Sequence, residues 1–316
     1  MKLLVTGGAG FVGRYLLRHI HETYDWELHV TKLPQESIAC DFARIHDLDI
    51  LDRQAVTDLM RQVQPDYIIH LAAQSSVAVS WKKPDLTVDI NVKGCVNLLD
   101  GIREAGLSPR ILLIGSSEEY GYLRPEDIPV REDTLPRPGN IYAATKVSQN
   151  LLGSIYARAY GMDIMMVRAF NHIGPEQLPQ FVVADFCRQV AEIELGQKPP
   201  VISTGNLSAA RDFTDVRDVV RAYGLLLQQG QAGLTYNIGS GRAIKIEEIL
   251  QMILALSEKE IRHEIDPARL RPVDLPIIEA DTTRIREATG WEPRIPISET
   301  IKETLDYWRI RLRDKE

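Results

Sequence analysis

The first thirteen residues of this 316-residue chain narrow its fold more than any other stretch. A short apolar run, Leu3-Leu4-Val5, passes directly into Thr6-Gly7-Gly8-Ala9-Gly10-Phe11-Val12-Gly13, so that Gly7, Gly10 and Gly13 recur at every third position. Gly7 and Gly10 allow a tight turn and let a pyrophosphate approach the backbone, while Gly13 lets a following helix close on the strand. The helix start adds unpaired amides and partial positive charge. With a strand before it and a helix after it, this spacing predicts a dinucleotide site, with Phe11 and Val12 in its turn.

The rest of the chain supplies the alternation that such a site needs. Apolar runs at 27–31, 66–74, 111–115, 162–168 and 236–239 read as strands. Asp47-Leu48-Asp49-Ile50-Leu51-Asp52 reads as a further strand with a helix cap at Asp52. Residues 84–105 form a long helix with an apolar stripe (Ile90, Val92, Val96, Leu98, Leu99, Ile102), and 142–160 and 182–195 are helical too. Residues 171–175 read as a loop, and 211–216 as a short strand leading into a helix that ends at Leu227. Strands alternating with helices predict a parallel sheet with right-handed crossovers. The expected fold is α/β, a Rossmann-like doubly wound parallel sheet with a smaller, mixed C-terminal substrate-binding domain. Residues 1–169 with about 213–240 form the dinucleotide half, and 170–212 with 241–316 the nucleotide-sugar half.

Ligands of doubly wound sheets sit beyond the carboxyl ends of the strands. The second strand does not end in an acid that accepts from a ribose 2′-hydroxyl; Lys32 follows instead and suits a 2′-phosphate. That favours NADP(H), with NAD(H) as the alternative. Asp49 and Ile50 lie where an adenine rests, and Leu71-Ala72-Ala73 lets a cofactor lie against the backbone. His70 reads as a satisfied strand-end histidine, and no His or Cys has metal-ligand spacing.

A net charge of −7 argues against nucleic acid as the main partner. Cys40, Cys95 and Cys187 are far apart and read as reduced, buried thiols. No apolar run approaches the roughly 18 residues of a membrane span. The chain starts straight into its first strand without a signal peptide, so the expected location is cytoplasmic.

Ser116 follows the apolar run Ile111-Leu112-Leu113-Ile114-Gly115 and so faces the ligand crevice. Tyr142 and Lys146 are four apart on a helix and share a face. A nearby ammonium stabilises a phenolate, so Lys146 is expected to lower the pKa of Tyr142 and fit it for proton transfer.

Taken with Asp49-Ile50, His70-Leu71-Ala72-Ala73, Arg211-Asp212-Phe213 and Arg271-Pro272-x-Asp274, these motifs resemble the extended short-chain dehydrogenase/reductase family over essentially the whole chain. The resemblance implies that Ser116, Tyr142 and Lys146 are the catalytic triad and that the C-terminal part binds a nucleotide sugar. Phe170-Asn171-His172 and Gln74-Ser75-Ser76-Val77 with Ser80-Trp81 are similar to the GDP-sugar branch, which holds both 4,6-dehydratases and 4-keto reductases. Ile173-Gly174-Pro175-Glu176-Gln177 and Ser116-Ser117-Glu118-Glu119-Tyr120-Gly121 resemble the reductases. The implied activity is NAD(P)H-dependent reduction of the 4-keto group of GDP-4-keto-6-deoxy-D-mannose. Arg211 and Arg271 are then expected to grip the pyrophosphate, Asn171 to hydrogen-bond pyrophosphate or sugar, and Ser76, Ser117 and Phe181 to line the substrate site. Glu118 stands where dehydratases keep a C5 base, so GDP-mannose 4,6-dehydration stays open, as does epimerisation. A regulatory nucleotide sensor is the non-enzyme alternative, and the intact triad speaks against it. The helices at 84–105 and 142–160, with Val147, Leu151, Leu152 and Ile155, predict a homodimer through a helix bundle.

Overall fold

The computed structural model describes residues 1–270 and 276–314. β1 (Lys2–Thr6) exits through the glycine turn into α1 (Phe11–Thr23), followed by β2 (Glu27–Lys32) and β3 (Ala43–Asp47). α2 (Arg53–Val63) leads to β4 (Tyr67–His70). Then α3 (Val77–Lys82), α4 (Pro84–Val88) and α5 (Gly94–Glu104) lead to β5 (Arg110–Ser116). α6 (Ile141–Tyr160) returns to β6 (Ile164–Ala169), and β7 (Asn171–Ile173) and α7 (Val182–Glu194) come next. β8 (Val201–Thr204) and β9 (Ala210–Asp215) precede α8 (Val216–Gln229) and β10 (Thr235–Ile238). The chain closes with β11 (Ala243–Lys245), α9 (Ile246–Leu254), β12 (Arg262–Ile265), β13 (Ile277–Ile278), α10 (Thr283–Thr289) and α11 (Ile297–Arg313).

Seven strands form one parallel sheet in the order β10-β6-β5-β4-β1-β2-β3. Successive strands run outward in opposite directions from the β1/β4 pair, which opens the crevice that a doubly wound sheet uses. Side chains alternate across it: Leu3, Val5 and Leu112 join the core under α1 and α8, while Leu4, Ile111 and Leu113 join the one under α2 and α5. Both faces are covered, which is why these strands read as unbroken apolar runs. Each such side chain contributes about 1.5–3 kcal/mol by leaving water.

A second core gathers Phe186 and Val190 of α7, Phe213 of β9, Ile249 and Ile253 of α9, and Leu305 and Trp308 of α11. Its strands are β11-β9-β13, with β7 on β9, and the separate pair β8-β12. Between α10 and α11 the chain returns to the first core, where buried Trp291 donates from Nε1 to the Asp218 carbonyl (2.9 Å). Among the described residues no helix is long and apolar enough to cross a membrane.

Four expectations are corrected. The third strand is Ala43–Asp47, about four residues earlier than expected. Residues 48–52 turn instead, because Asp49 accepts from the Leu51 amide (2.9 Å) and its carbonyl from Asp52 (3.0 Å); the cap at Asp52 does form, on Ala55 N (3.0 Å). Residues 171–173 are a strand, drawn into pairing with Phe213–Asp215. The helix expected at 84–105 widens into a π-turn at Asp89–Lys93. There Asn91 turns inward, exchanges hydrogen bonds with the Gln74 main chain (2.8 and 3.0 Å) and donates to Thr145 Oγ1 (2.9 Å). Cys95 and Cys187 are buried, whereas Cys40 is only partly so; all three are free thiols.

Candidate active site

The glycine turn has the form a pyrophosphate needs. Gly7 sits at φ +72°, and a Cβ on it would stand 2.6 Å from Ala72 Cα, so only glycine fits against the exit of β4. Gly10 precedes α1 with no side chain capping it, and a Cβ there would meet almost nothing. Among the described residues no side-chain cap takes the first amides of α1, which lie beside open space. This cradle fits a dinucleotide.

A cleft of about 1360 Å³ runs from this turn across the carboxyl ends of the strands into the second core. Gly7, Gly10, Phe11, Val12, Gly13, Lys32, Asp49, Ile50, Leu71, Ala72 and Ala73 line its dinucleotide part. Ser76, Ser116, Ser117, Glu118, Tyr142, Lys146, Asn171, Phe181 and Arg211 line the remainder. Arg271 lies outside the described residues. Asn97 donates to the carbonyls of Ile50 (3.0 Å) and Leu51 (3.2 Å), pinning the loop expected under the adenine. Lys32 is ion-paired with Asp47, so a phosphate there must share the ammonium with a carboxylate. His70 is bonded to Thr6 Oγ1 through Nδ1 (2.7 Å), and burial pushes its pKa down to about 3.

Ser116 ends β5, and its Oγ accepts from Glu118 N (3.2 Å) at the start of a 3-10 turn. Tyr142 is buried on the first turn of α6, and Ser116 lies close enough to act on its phenol. The electrostatics differ from the expectation. Burial raises the Tyr142 pKa, the neighbouring Ser116 side chain opposes this, and the charges of Glu118 and Glu119 raise it further. Lys146 does not lower it: its ammonium donates to the Ile114 carbonyl (2.8 Å) and Gln149 Oε1 (3.1 Å), and burial pushes its pKa down to about 8. Tyr142 is thus held as the protonated phenol, an acid. Both residues line the cleft, but their spacing carried no information on what surrounds them.

Other residues at the site escaped the sequence reading. Asn140 donates to Glu118 Oε2 (2.9 Å) and caps α6 through the Ala143 amide (2.8 Å). Its type, just before a helix, is a readable cap signal; its bond to Glu118 is not. Glu119 takes the Ser116 amide (3.0 Å) and pairs with Arg168 (2.9 Å), both buried. Arg269 reaches Asp185 (2.5 Å) on the cleft wall, with no signal in the sequence beyond its nearness to Arg271.

The profile of the family described as GDP-mannose 4,6 dehydratase matches residues 4–304. The GDP-6-deoxy-D-mannose reductase of Pseudomonas aeruginosa is 33% identical, covering 99% of both chains. Among solved structures, RMD from Pseudomonas aeruginosa complexed with NADPH superposes with a TM-score of 0.87 at 33% identity, covering 98% of this chain and 99% of that one. The UDP-glucose 4-epimerase of Thermotoga maritima with UDP-glucose gives 0.88 at 28% identity, covering 99% and 100%. The parallel sheet, the glycine cradle and these full-length likenesses agree: the chain belongs to the GDP-mannose 4,6-dehydratase family, within the extended short-chain dehydrogenases/reductases.

Proposed function

We propose that this protein reduces the 4-keto group of GDP-4-keto-6-deoxy-D-mannose to a GDP-6-deoxyhexose such as GDP-D-rhamnose, using NADPH or NADH. The observation that carries this reading is that Ser116, Tyr142 and Lys146 line one cleft, with Tyr142 a buried phenol that can give its proton to a ketone oxygen. The likeness to a GDP-6-deoxy-D-mannose reductase supports the substrate.

Gly7, Gly10, Phe11, Val12, Gly13, Asp49, Ile50 and Leu71–Ala73 would hold the dinucleotide, with Lys32 at its adenosine end. When bound, the reduced nicotinamide supplies the hydride. Tyr142 then gives its proton to the oxygen that gains negative charge, and Ser116 Oγ donates a second hydrogen bond to the same oxygen. Lys146, whose ammonium donates to the Ile114 carbonyl, would hold the nicotinamide ribose. Arg211 grips the pyrophosphate, as Arg271 is proposed to do, and Ser76, Ser117, Asn171 and Phe181 bound the sugar. Residues 1–169 with about 213–240 serve the dinucleotide and the remainder the GDP-sugar. We place the protein in the cytoplasm, in keeping with its free thiols.

Val88 on α4 and Leu151 and Ile155 on α6 are exposed, which supports a homodimer packed through these helices. Light scattering at micromolar concentration tests that assembly, and a monomer mass contradicts it. The activity is tested by adding GDP-4-keto-6-deoxymannose to enzyme and NADPH and following the nicotinamide absorbance. Substrate-dependent loss of absorbance is expected, and none at any pH retires the reading.

A further inference from the structure

We propose that Arg269 reads the base of the nucleotide sugar, its guanidinium donating to O6 and N7 of guanine; this rests on the reading of the substrate as a GDP-sugar. Arg211 on β9 is assigned to the pyrophosphate, and the 205–209 connection leading into β9 carries Gly205 and Asn206. These two, with Asp185, Ala268 and Arg269, line the part of the cleft built on the second core, where the base must lie.

The main chain of Arg269 is fixed there. It ends the 3-10 turn Pro267–Arg269, whose cap Asp266 accepts the Ala268 amide (2.9 Å) and donates its own amide to the Thr204 carbonyl (2.8 Å). Gly205 packs so closely that a Cβ on it would lie 2.9 Å from the Arg269 carbonyl oxygen. The side chain is braced as well. Nη1 donates to Asp185 Oδ2 (2.5 Å), and Nε stands 3.8 Å from Asp266 Oδ2. Buried Asp185 is itself held by Arg188 (3.0 Å) and Gln189 (2.8 Å).

The result is a planar fork of five N–H donors, anchored on one side and 37% exposed. Such a fork matches adjacent acceptors in one plane, and among the bases only guanine presents them, as O6 and N7. Adenine replaces O6 with an amino donor, and uracil and thymine have no N7. A braced guanidinium loses little freedom on binding, so the contact discriminates rather than merely attracts.

Calorimetry on the full chain, with NADPH present to fill the dinucleotide half, tests this with GDP, 7-deaza-GDP and UDP. GDP should bind at least about fivefold tighter than 7-deaza-GDP, which keeps O6 but lacks N7, and tighter still than UDP. In Arg269→Met the two purine nucleotides should bind equally, and in Arg269→Lys, which keeps the charge but not the fork, the preference should stay lost. Asp185 retains Arg188 and Gln189 in both variants, so neither leaves a bare buried carboxylate. Equal binding of GDP and 7-deaza-GDP by the wild type, or a preference surviving in Arg269→Met, overturns the assignment while GDP binding itself upholds the GDP-sugar reading. UDP binding as tight as GDP overturns both.

Discussion

Asn140 Nδ2 donates to Glu118 Oε2 at 2.9 Å while its Oδ1 accepts the Ala143 amide at 2.8 Å, so one side chain ties a carboxylate to the helix that carries Tyr142. The Ala143 N–H fixes which end of the amide faces Glu118. Glu118 is therefore held where its charge, with that of Glu119 and the burial, keeps the Tyr142 phenol protonated. Tyr223 on α8 also feels the charge of Tyr142, and Arg168 of β6 is bound to Glu119.

Glu118→Gln should keep keto-reduction within about tenfold of the wild type, because Gln still hydrogen-bonds a hydroxyl. Its pH profile should change. Removing the negative charge lowers the Tyr142 pKa, so the loss of activity at alkaline pH should begin at lower pH than in the wild type. Asn140→Ser, which keeps a capping oxygen but frees Glu118, should move that edge the same way by less. Profiles of kcat under single turnover check this. A wild type that dehydrates GDP-mannose without added reductant, and loses that in Glu118→Gln, points to the dehydratase instead.

Tyr142→Phe should lose about 10²- to 10⁴-fold in turnover, the range expected for removing a positioned acid, with cofactor binding retained. Near-normal turnover excludes Tyr142 as the donor.

Lys146→Met should impair turnover and also weaken cofactor binding, yet it should not reduce stability at neutral pH. Burial holds the Lys146 pKa down to about 8, below that of an unfolded lysine. The folded protein releases this proton before the unfolded chain does, so wild-type stability rises as pH climbs from about 8 towards the ordinary lysine range. The Tm of Lys146→Met relative to wild type should thus be highest below pH 8 and fall above it. A relative Tm independent of pH contradicts this.

Much of this was legible in the chain because it depends on periodicity or on backbone space. The strand, glycine turn and helix at residues 1–23 follow from local geometry alone. Ser116, Tyr142 and Lys146 meet because a strand end and one helix face fix them. What the chain did not reveal depends on long-range neighbours: the burial that reverses the expected shift at Tyr142, the Ile114 carbonyl that engages Lys146, and the brace from Asp185 to Arg269. The strand misplaced at 47–52 is a different failure, since two aspartates bonding their own backbone outweighed an apolar run.

Lys32 reads as a phosphate contact, and its ion pair with Asp47 makes the expectation specific. Lys32→Ala should lower kcat/KM for NADPH about tenfold and leave NADH nearly unchanged, because only the former carries the 2′-phosphate. Asp47→Asn, which frees the ammonium, should favour NADPH further. Kinetics with both cofactors decide it, and a wild type that strongly prefers NADH removes Lys32 from that role.

The last expectation concerns what lies behind Ser116. Glu119 accepts the Ser116 amide through Oε1 (3.0 Å) and pairs through Oε2 with Arg168 (2.9 Å), and neither residue is appreciably exposed. Arg168 also donates to the Glu132 carbonyl (3.1 Å) and lies 4.6 Å from the centre of the Tyr120 ring. A Cβ on Gly115 would stand 2.2 Å from Glu119 Oε1, so the strand leaves space for this carboxylate. Arg168→Met strands a buried charge and should cost about 3–5 kcal/mol in denaturant unfolding. The double change Glu119→Leu with Arg168→Met should recover much of that loss, since a well-packed apolar pair needs no desolvation of ions. Activity should not recover with it, because the Ser116 amide has then lost its acceptor and the oxygen that serves Tyr142 is no longer held. An Arg168→Met variant as stable as the wild type, or a double variant with full activity, overturns this account of the support beneath Ser116.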